Sequence, residues 1–270
     1  VYDIYQDKLG YIWFATDKGL SRYNGYEFKN FTTQDGLPDN TILDFHPQKN
    51  GQVWCYGYHT RSLFYFNEVF DGFKEYKHND LLKEELISSS ILKSVVVDEK
   101  ETLFIGGYTV FGSIEITDDG KLTNHYNLTS DIGKPFIERK VGLGVNSKKG
   151  IFFSVYHPYE SDDDIFVFKS KGQPSSRIDL VFLNEDHTIF INKYLGLITK
   201  NKSIKYYETE QYPIGIKKIN KHSYFVGYYA NGAEIKDVSG QIIETFLPKK
   251  SVSSFLIDTE GSYWFSTIDD

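Results

Sequence analysis

The sequence is short of cysteine and methionine, with one residue of the former and none of the latter. A lone thiol, Cys55, cannot form an internal disulfide, so the sequence excludes a small secreted fold that disulfides hold together. Such crosslinks are not needed, because 270 residues can bury a large core. The absence of an initiator methionine and of a basic-then-apolar leader leads us to expect a piece of a longer protein.

Long hydrophobic runs and positive charge are also scarce. The longest apolar stretches, such as residues 151–156, are far shorter than the roughly 18 residues that a membrane span needs. The 30 basic residues are outnumbered by 37 acidic ones, so the net charge is -7 and nucleic acid is not an expected partner. Contact with a membrane is expected only through segments outside this sequence.

Catalytic and metal-binding motifs are missing as well. The seven histidines form no His-x-x-x-His or His-Glu pairing, so no zinc site is indicated. No Gly-x-Ser-x-Gly elbow, phosphate-binding loop or dinucleotide fingerprint occurs. The acidic run at residues 160–164 lacks the alternating ligands and the glycine of a calcium loop, and we interpret it as a solvated loop. We therefore predict no catalytic residue, no metal and no cofactor for this domain.

What the sequence has in excess is aromatic residues, at 17%, and a repeat that is built around them. The segment DKLGYIWFAT at residues 7–16 returns at residues 258–267 as DTEGSYWFST, with the Asp, Gly, Trp, Phe and Thr positions shared. Weaker copies lie between them, and the gaps between successive aromatic anchors are 41, 50, 49, 37, 35 and 39 residues. The seven anchors are Trp13, Trp54, Phe104, Phe153, Phe190, Phe225 and Trp264.

Each copy is predicted to form a strand, a tight turn and a second strand. An Asp followed three residues later by Gly, as at Asp7 and Gly10 or at Asp258 and Gly261, is typical of a type I turn. Further strand-forming runs follow, and four short strands in about 40 to 45 residues are typical of one blade of a β-propeller. The only helix that we predict, at residues 80–87, lies in a connection.

The predicted fold class is therefore all-β, with residues 1–270 forming a single β-propeller domain. Seven anchors predict seven blades, of which the last is incomplete. The alternative is a six-bladed propeller in which the last hairpin completes the first blade.

The first copy continues into a longer pattern that carries a resemblance to a known family. Residues 7–25 read DKLGYIWFATDKGLSRYNG, and residues 31–40 read FTTQDGLPDN. These strings closely resemble the repeat of the two-component regulator propeller family. The match is specific over residues 1–40 and again over residues 253–267, whereas the middle copies depend on spacing.

The resemblance implies the ligand-sensing propeller of a bacterial sensor kinase or hybrid two-component regulator. Such a domain lies in the periplasm, as the extracytoplasmic part of an inner-membrane protein, and relays to a kinase that is outside this chain. Its expected partners are a small-molecule or oligosaccharide ligand, the downstream domains of the same protein, and a second copy in a homodimer.

The repeat residues are interpreted as scaffold rather than as a binding site. Acidic residues at the turns are expected to accept hydrogen bonds from their own backbone, and the tryptophans are expected to pack between blades. The scaffold residues are Asp7, Gly10, Trp13, Trp54, Asp98, Asp258, Gly261 and Trp264.

A ligand site is predicted at the opposite end of the blades, in the loops between second and third strands. Loops of different length and sequence can be accommodated at that end, whereas the Asp-to-Gly turns at the other end are tight. Aromatic rings offer flat faces to the C–H side of a sugar, and neighbouring polar groups can bind hydroxyls, which suits a neutral or weakly charged saccharide. The candidates are Tyr58, His59, Arg61, Tyr156, His157, Tyr159, Tyr228, Tyr229 and Asn231.

Three alternatives for this loop face stay open. The tyrosines could simply cover the rim of a central channel, because tyrosine is often half-buried. A polysaccharide lyase or hydrolase would need convergent acids or histidines, for which only scattered candidates exist, namely Asp17, His59, His157 and Glu160. A protein-interaction scaffold is the third alternative.

Overall fold

The computed structural model describes residues 1–85, 92–97, 100–107, 113–124, 142–146, 150–155, 164–168, 179–184, 187–191, 195–199, 204–207 and 211–268. The chain forms two compact units. Unit 1 contains residues 1–45 and 177–270, and unit 2 contains residues 46–176.

Unit 1 opens with a four-stranded antiparallel sheet whose strands follow one another in chain order. Its strands are β1 (Asp3–Gln6), β2 (Ile12–Thr16), β3 (Gly19–Tyr23) and β4 (Phe28–Phe31). A short 3-10 helix, Thr33–Asp35, is capped by Thr32 and leads towards the next sheet.

The described part of unit 2 contains three sheets of the same hairpin type and one helix. The boundary between the units falls within β5 (Ile42–Pro47), which starts the sheet β5-β6-β7-β8. The further elements are β6 (Gln52–Gly57), β7 (Ser62–Asn67), β8 (Lys74–Glu75), α1 (Asn79–Glu85), β9 (Leu92–Val97), β10 (Leu103–Gly107), β11 (Ser113–Ile116), β12 (Leu122–Asn124), β13 (Gly142–Asn146), β14 (Gly150–Val155) and β15 (Asp164–Phe168).

The second part of unit 1 holds two four-stranded sheets and a final hairpin. The first two sheets are β16-β17-β18-β19 and β20-β21-β22-β23, and among the described strands β24 pairs only with β25. The strands are β16 (Asp179–Asn184), β17 (His187–Ile191), β18 (Leu195–Thr199), β19 (Ile204–Tyr207), β20 (Pro213–Lys218), β21 (Ser223–Tyr228), β22 (Ala233–Asp237), β23 (Ile242–Phe246), β24 (Val252–Ile257) and β25 (Tyr263–Thr267).

The two faces of β21 show how the sheets of unit 1 pack together. Successive side chains of a strand point to opposite faces. Tyr224 and Val226 therefore pack against the β16–β19 sheet, in a cluster with residues such as Leu183 and Ile189. Phe225 faces the other way and stacks on Phe255 of β24, with ring centroids 4.8 Å apart. Sheet therefore packs on sheet, with the core in between.

Unit 2 has a core of the same kind, between the β5–β8 and β9–β12 sheets. Trp54 and Leu63 of the first sheet join Val95, Ile105 and Ile114 of the second in one buried cluster. In unit 1 the fourth strands β4 and β23 are largely exposed, as expected for the outermost strand of each sheet.

Two glycines allow the β24 backbone to approach the preceding sheet closely. A Cβ atom at Gly215 would lie 2.0 Å from the Ser253 carbonyl oxygen, and one at Gly227 would lie 1.9 Å from the Val252 carbonyl oxygen. Real Cβ atoms essentially never come so close to a backbone atom. Only hydrogen fits at either position.

The all-β class predicted from the repeat is confirmed, since almost every described element is a strand. The described helix, Asn79–Glu85, starts one residue before the predicted one and lies in the connection between two sheets. The final hairpin is a sheet of its own, and the β1–β4 sheet already contains four strands. The number of blades stays a prediction.

In the described part of the chain, no helix is both long enough and apolar enough to cross a membrane. Among the same residues, no group of three or more His, Cys, Asp or Glu side chains is placed to hold a metal ion.

Candidate functional site

Each sheet has two ends, which differ in the connections that they hold. We call the end where the first strand turns into the second the turn end. At the other end, the loop end, the second strand passes into the third and the chain crosses to the next sheet.

The turn end of the first sheet is organised by Asp7. Its Oδ1 atom accepts hydrogen bonds from the amides of Leu9 and Tyr11, both at 3.0 Å, and its Oδ2 atom accepts one from the indole Nε1 of Trp13 at 2.8 Å. Gly10 takes a φ of 88°, which favours glycine. Asp7 therefore caps its own turn and also satisfies a buried indole.

The same arrangement recurs at Asp258, where Oδ1 accepts from the amides of Glu260 and Ser262. The Trp264 indole donates to Oδ2 at 2.7 Å. This indole, together with the backbone amides, holds the pKa of Asp258 below its usual value. Gly261, with a φ of 85°, completes the turn.

The two repeat tryptophans differ in burial. Trp13 is wholly buried and stacks on Phe31, with ring centroids 5.5 Å apart. Trp264 is half-buried and packs edge-on against Phe14 and Tyr23 of the first sheet. Trp264 thus joins the final hairpin to the first sheet.

The second copy of the repeat departs from this pattern because Gln48 replaces the aspartate. Its Nε2 atom donates to the Val95 carbonyl at 2.9 Å, and its Oε1 atom accepts from the Val97 amide at 3.0 Å, so it bridges to β9. The buried Trp54 indole instead donates to Gln52 at 3.0 Å. The scaffold candidate Asp98 lies outside the described residues.

The Asp3 carboxylate links the first strands of three sheets in unit 1, through an ion pair and a hydrogen bond. The Lys217 ammonium on β20 and the Ser254 hydroxyl on β24 donate to Asp3 Oδ1 on β1, at 2.8 and 2.7 Å. The Phe45 amide donates to Asp3 Oδ2 at 3.1 Å. Burial alone would raise the pKa of Asp3, but Lys217 and the two neutral donors outweigh it, so the pKa is lowered.

At the loop end, two segments of unit 1 are hydrogen-bonded to each other. The 229–232 loop joins β21 to β22, and the 247–251 crossing leads from β23 to β24. The Gly232 amide donates to the Lys250 carbonyl at 2.7 Å. A second bond, of 3.0 Å, runs from the loop backbone to the Ser251 hydroxyl. The two segments therefore form one connected surface, which we call the paired loops.

Exposed tyrosines lie at this loop end. Tyr229 in the paired loops is 58% exposed, and its amide donates to the carbonyl of Tyr212, which is 46% exposed and precedes β20. The exposed Asn231 side chain donates to the Tyr229 carbonyl at 3.0 Å. Tyr2, 40% exposed, precedes β1 at the same end of the first sheet. These side chains offer aromatic surface and hydrogen-bonding groups to solvent.

Tyr228 is not part of this surface, which corrects the expectation from the sequence. It is the last residue of β21 and wholly buried, and its hydroxyl donates to Glu234 at 2.8 Å. Glu234 also pairs with Lys236 at 2.7 Å. Burial, and then the neighbouring carboxylate, raises the pKa of Tyr228 well above its usual value. Tyr224, Val226 and Tyr228 are every second residue of β21, so their side chains point to the same face of the strand, into the core.

In unit 2, the loop after β6 holds three of the predicted residues. Tyr58 is half-buried, and its ring meets the exposed ring of His59 edge-on, with centroids 5.1 Å apart. Arg61 adopts a φ of 54°, and its Nη1 atom donates to the Lys83 carbonyl at 3.0 Å, near the end of α1. Part of the Arg61 side chain thus supports the fold.

Tyr156, His157 and Tyr159, the remaining predicted residues, lie outside the described residues. Tyr212 and Tyr2 are not among the residues predicted from the sequence. In the structure each lies one residue before the first strand of a sheet, Tyr212 before β20 and Tyr2 before β1, rather than in a loop after a second strand. The repeat pattern gives no signal for either position.

Comparison with known proteins accords with the repeat. The family model described as "Two component regulator propeller" matches residues 1–18. Residues 1–18 thus carry the repeat of the two-component regulator propeller family. No curated protein sequence matches this chain.

Solved structures support a propeller-like fold for this chain. The extracellular domains of the hybrid two-component systems BT3049 and BT4673 of B. thetaiotaomicron are 16% and 15% identical to it, with TM-scores of 0.67 and 0.68. They match 99% and 98% of this chain but only 38% and 39% of their own lengths. Virginiamycin B lyase of Staphylococcus aureus is 16% identical, with a TM-score of 0.65 over 98% of this chain and 91% of the lyase.

Proposed function

We propose that the chain is the extracytoplasmic ligand-sensing propeller of a two-component signalling protein and that its ligand is an oligosaccharide. The observation that carries the proposal is the group of exposed tyrosines at the loop end of unit 1, beside the Asn231 amide. Aromatic faces pack on the C–H side of sugar rings, and amide groups bind the hydroxyls.

The family and its relatives support the signalling part of the proposal. The two similar extracellular domains belong to hybrid two-component systems, and the chain matches less than two fifths of each. In the proposed protein, ligand binding in the periplasm is relayed to a kinase through downstream domains of the same polypeptide, with a homodimer as the signalling unit. The proposed architecture has seven blades, with β24 and β25 as the incomplete one.

Two tyrosine variants test the ligand site. We expect Tyr229→Ala and Tyr212→Ala to weaken binding of an oligosaccharide, found by thermal-shift screening of a saccharide panel, by about 1 kcal/mol or more. Tyr26→Ala is the matched control, because Tyr26 is 95% exposed but lies in the turn between β3 and β4, at the opposite end. Equal losses from all three variants, or no ligand in the whole panel, would contradict the proposal.

A lyase is the second candidate, favoured by the fold similarity to virginiamycin B lyase over 91% of that enzyme. A similar fold does not imply the same reaction, so the residues of the site decide between a lyase and a sensor. Release of new reducing or unsaturated ends from a bound oligosaccharide by the purified chain would favour the lyase. Recovery of intact ligand after prolonged incubation would favour the sensor.

A further inference from the structure

Backbone strain is concentrated in the paired loops. Five non-glycine residues in the described part of the chain have a positive φ, and three of them lie here: Ala230 at 53°, Leu247 at 47° and Lys249 at 71°. Side chains other than glycine adopt this conformation rarely, and such residues cluster at ligand-binding sites when the surrounding structure imposes it.

The surrounding structure does impose it. The Gly232 amide is fixed to the Lys250 carbonyl at 2.7 Å, and the Lys250 amide donates to the Leu247 carbonyl at 3.1 Å. A Cβ atom at Gly232 would lie 2.2 Å from the Phe246 carbonyl, so the two segments are also in tight contact. The backbone of the 247–251 crossing is therefore held in one position against the 229–232 loop.

The charges of the paired loops are all of one sign. The 229–232 loop reads YANG and the 247–251 crossing reads LPKKS, so two lysines and no acidic residue are present. Glu234, in the strand that follows the loop, is buried and already paired with Lys236. Lys249 is exposed, in the same connected surface as Tyr229 and Asn231. This combination suits a ligand that has both a sugar ring and a negative charge.

We propose that the paired loops form a subsite for an anionic sugar residue, bearing a carboxylate or a sulfate, with its charge against Lys249 and its ring against Tyr229. This inference rests on the proposed function and names the ligand class of the same site. Lys249 is a binding residue in it, and the left-handed backbone at this residue fixes where its side chain leaves the loop.

The test uses pairs of probes that differ only in charge: an oligogalacturonate and its methyl ester, and a sulfated galactan oligosaccharide and its desulfated form. We expect one anionic member to bind the wild-type chain more tightly than its neutral partner, by about tenfold in Kd, as a charge-assisted contact would give. Whichever pair responds identifies carboxylate or sulfate as the recognised group.

Two substitutions of Lys249 separate charge from backbone strain. Lys249→Gln removes the charge, and Lys249→Gly removes the charge and the strain together; both should abolish the preference for the anionic probe. Lys221→Gln is the matched control, since Lys221 is an exposed lysine in the turn between β20 and β21 of the same sheet. An unchanged melting temperature in Lys249→Gly shows that loss of binding does not come from unfolding.

The outcomes distinguish the two proposals. Neutral probes that bind as tightly as their anionic partners, or a preference that survives both Lys249 variants, would overturn the anionic subsite and leave the sensor intact. Failure of every probe to bind would count against both.

Discussion

At the turn ends of unit 1, side chains serve the backbone. Asp7 and Asp258 each accept two amides and an indole, and glycine occupies the left-handed positions at residues 10 and 261. In the paired loops, at the loop end, the left-handed positions include Ala230, Leu247 and Lys249. Glycine adopts the left-handed conformation without strain, so it suits a turn that only reverses the chain. A non-glycine residue in that conformation retains a side chain but costs free energy of folding. We therefore call the turn end of unit 1 the scaffold end and the loop end that holds the paired loops the presenting end.

The largest effect is expected at the scaffold end, from Trp13→Ala. The indole is wholly buried and hydrogen-bonded to Asp7, so its removal should lower the free energy of unfolding by about 3 to 5 kcal/mol. Trp264→Ala should cost clearly less, because Trp264 is half-buried. Urea denaturation of the two variants measures both losses. Equal losses would mean that burial does not separate the two copies of the repeat.

A smaller loss is expected from Lys217→Met, which leaves the Asp3 carboxylate buried without its cation. We expect about 2 to 3 kcal/mol by chemical denaturation, below the usual loss for a broken buried pair because the Lys217 side chain is 36% exposed. The double variant Asp3→Asn with Lys217→Met should recover part of this loss. A Lys221→Met control, at an exposed turn, should cost clearly less than Lys217→Met. A double variant less stable than Lys217→Met alone would exclude the ion pair as the cause.

Exchanging glycine and alanine between the two ends should give effects of unequal size. Gly10→Ala should cost about 1 to 2 kcal/mol because its φ is 88°, although no backbone atom is near enough to clash. Ala230→Gly, at a φ of 53°, should change stability by less than about 0.5 kcal/mol, because relief of strain and the entropy of the unfolded glycine offset each other. Melting temperatures of the pair measure both. A strongly destabilised Ala230→Gly would show that this alanine supports the fold.

The smallest effect is expected in the pH dependence of stability. The pKa values of Asp3 and Asp258 are lowered in the folded chain, so folding favours their charged forms. The stabilisation is fully present above the unfolded value of about 3.9 and is lost as the pH falls through the lowered folded values. The urea concentration at the unfolding midpoint, measured from pH 6 downwards, should therefore decrease once the pH is below about 4. Asp258→Asn should make this decrease smaller. An unchanged slope in that variant would exclude Asp258.

The scaffold end could be predicted from the sequence because its contacts are local. Asp7 lies six residues before Trp13, and a turn between them brings carboxylate and indole together. The all-β class followed from the same spacing.

The presenting end was harder to predict because it depends on boundaries and on contacts distant in sequence. The loop candidate Tyr228 is the last residue of its strand, one position before the exposed Tyr229. The alternation of Tyr224, Val226 and Tyr228 places all three side chains on one face of that strand and so indicates the burial of Tyr228. No sequence pattern signals that Lys249 takes a left-handed backbone, because hydrogen bonds to a loop about 20 residues earlier impose it.

The close approach of β24 to its neighbouring sheet has a consequence for natural variation and for library design. At Gly215 and Gly227 any side chain would begin about 2 Å from a carbonyl oxygen. Selection from saturated codons at these two positions should therefore return glycine alone, while Gly25 and Gly72, which have nothing within 4 Å, should also return asparagine. Positions 215 and 227 would then locate, from sequencing alone, the close contact between β24 and the preceding sheet of this chain.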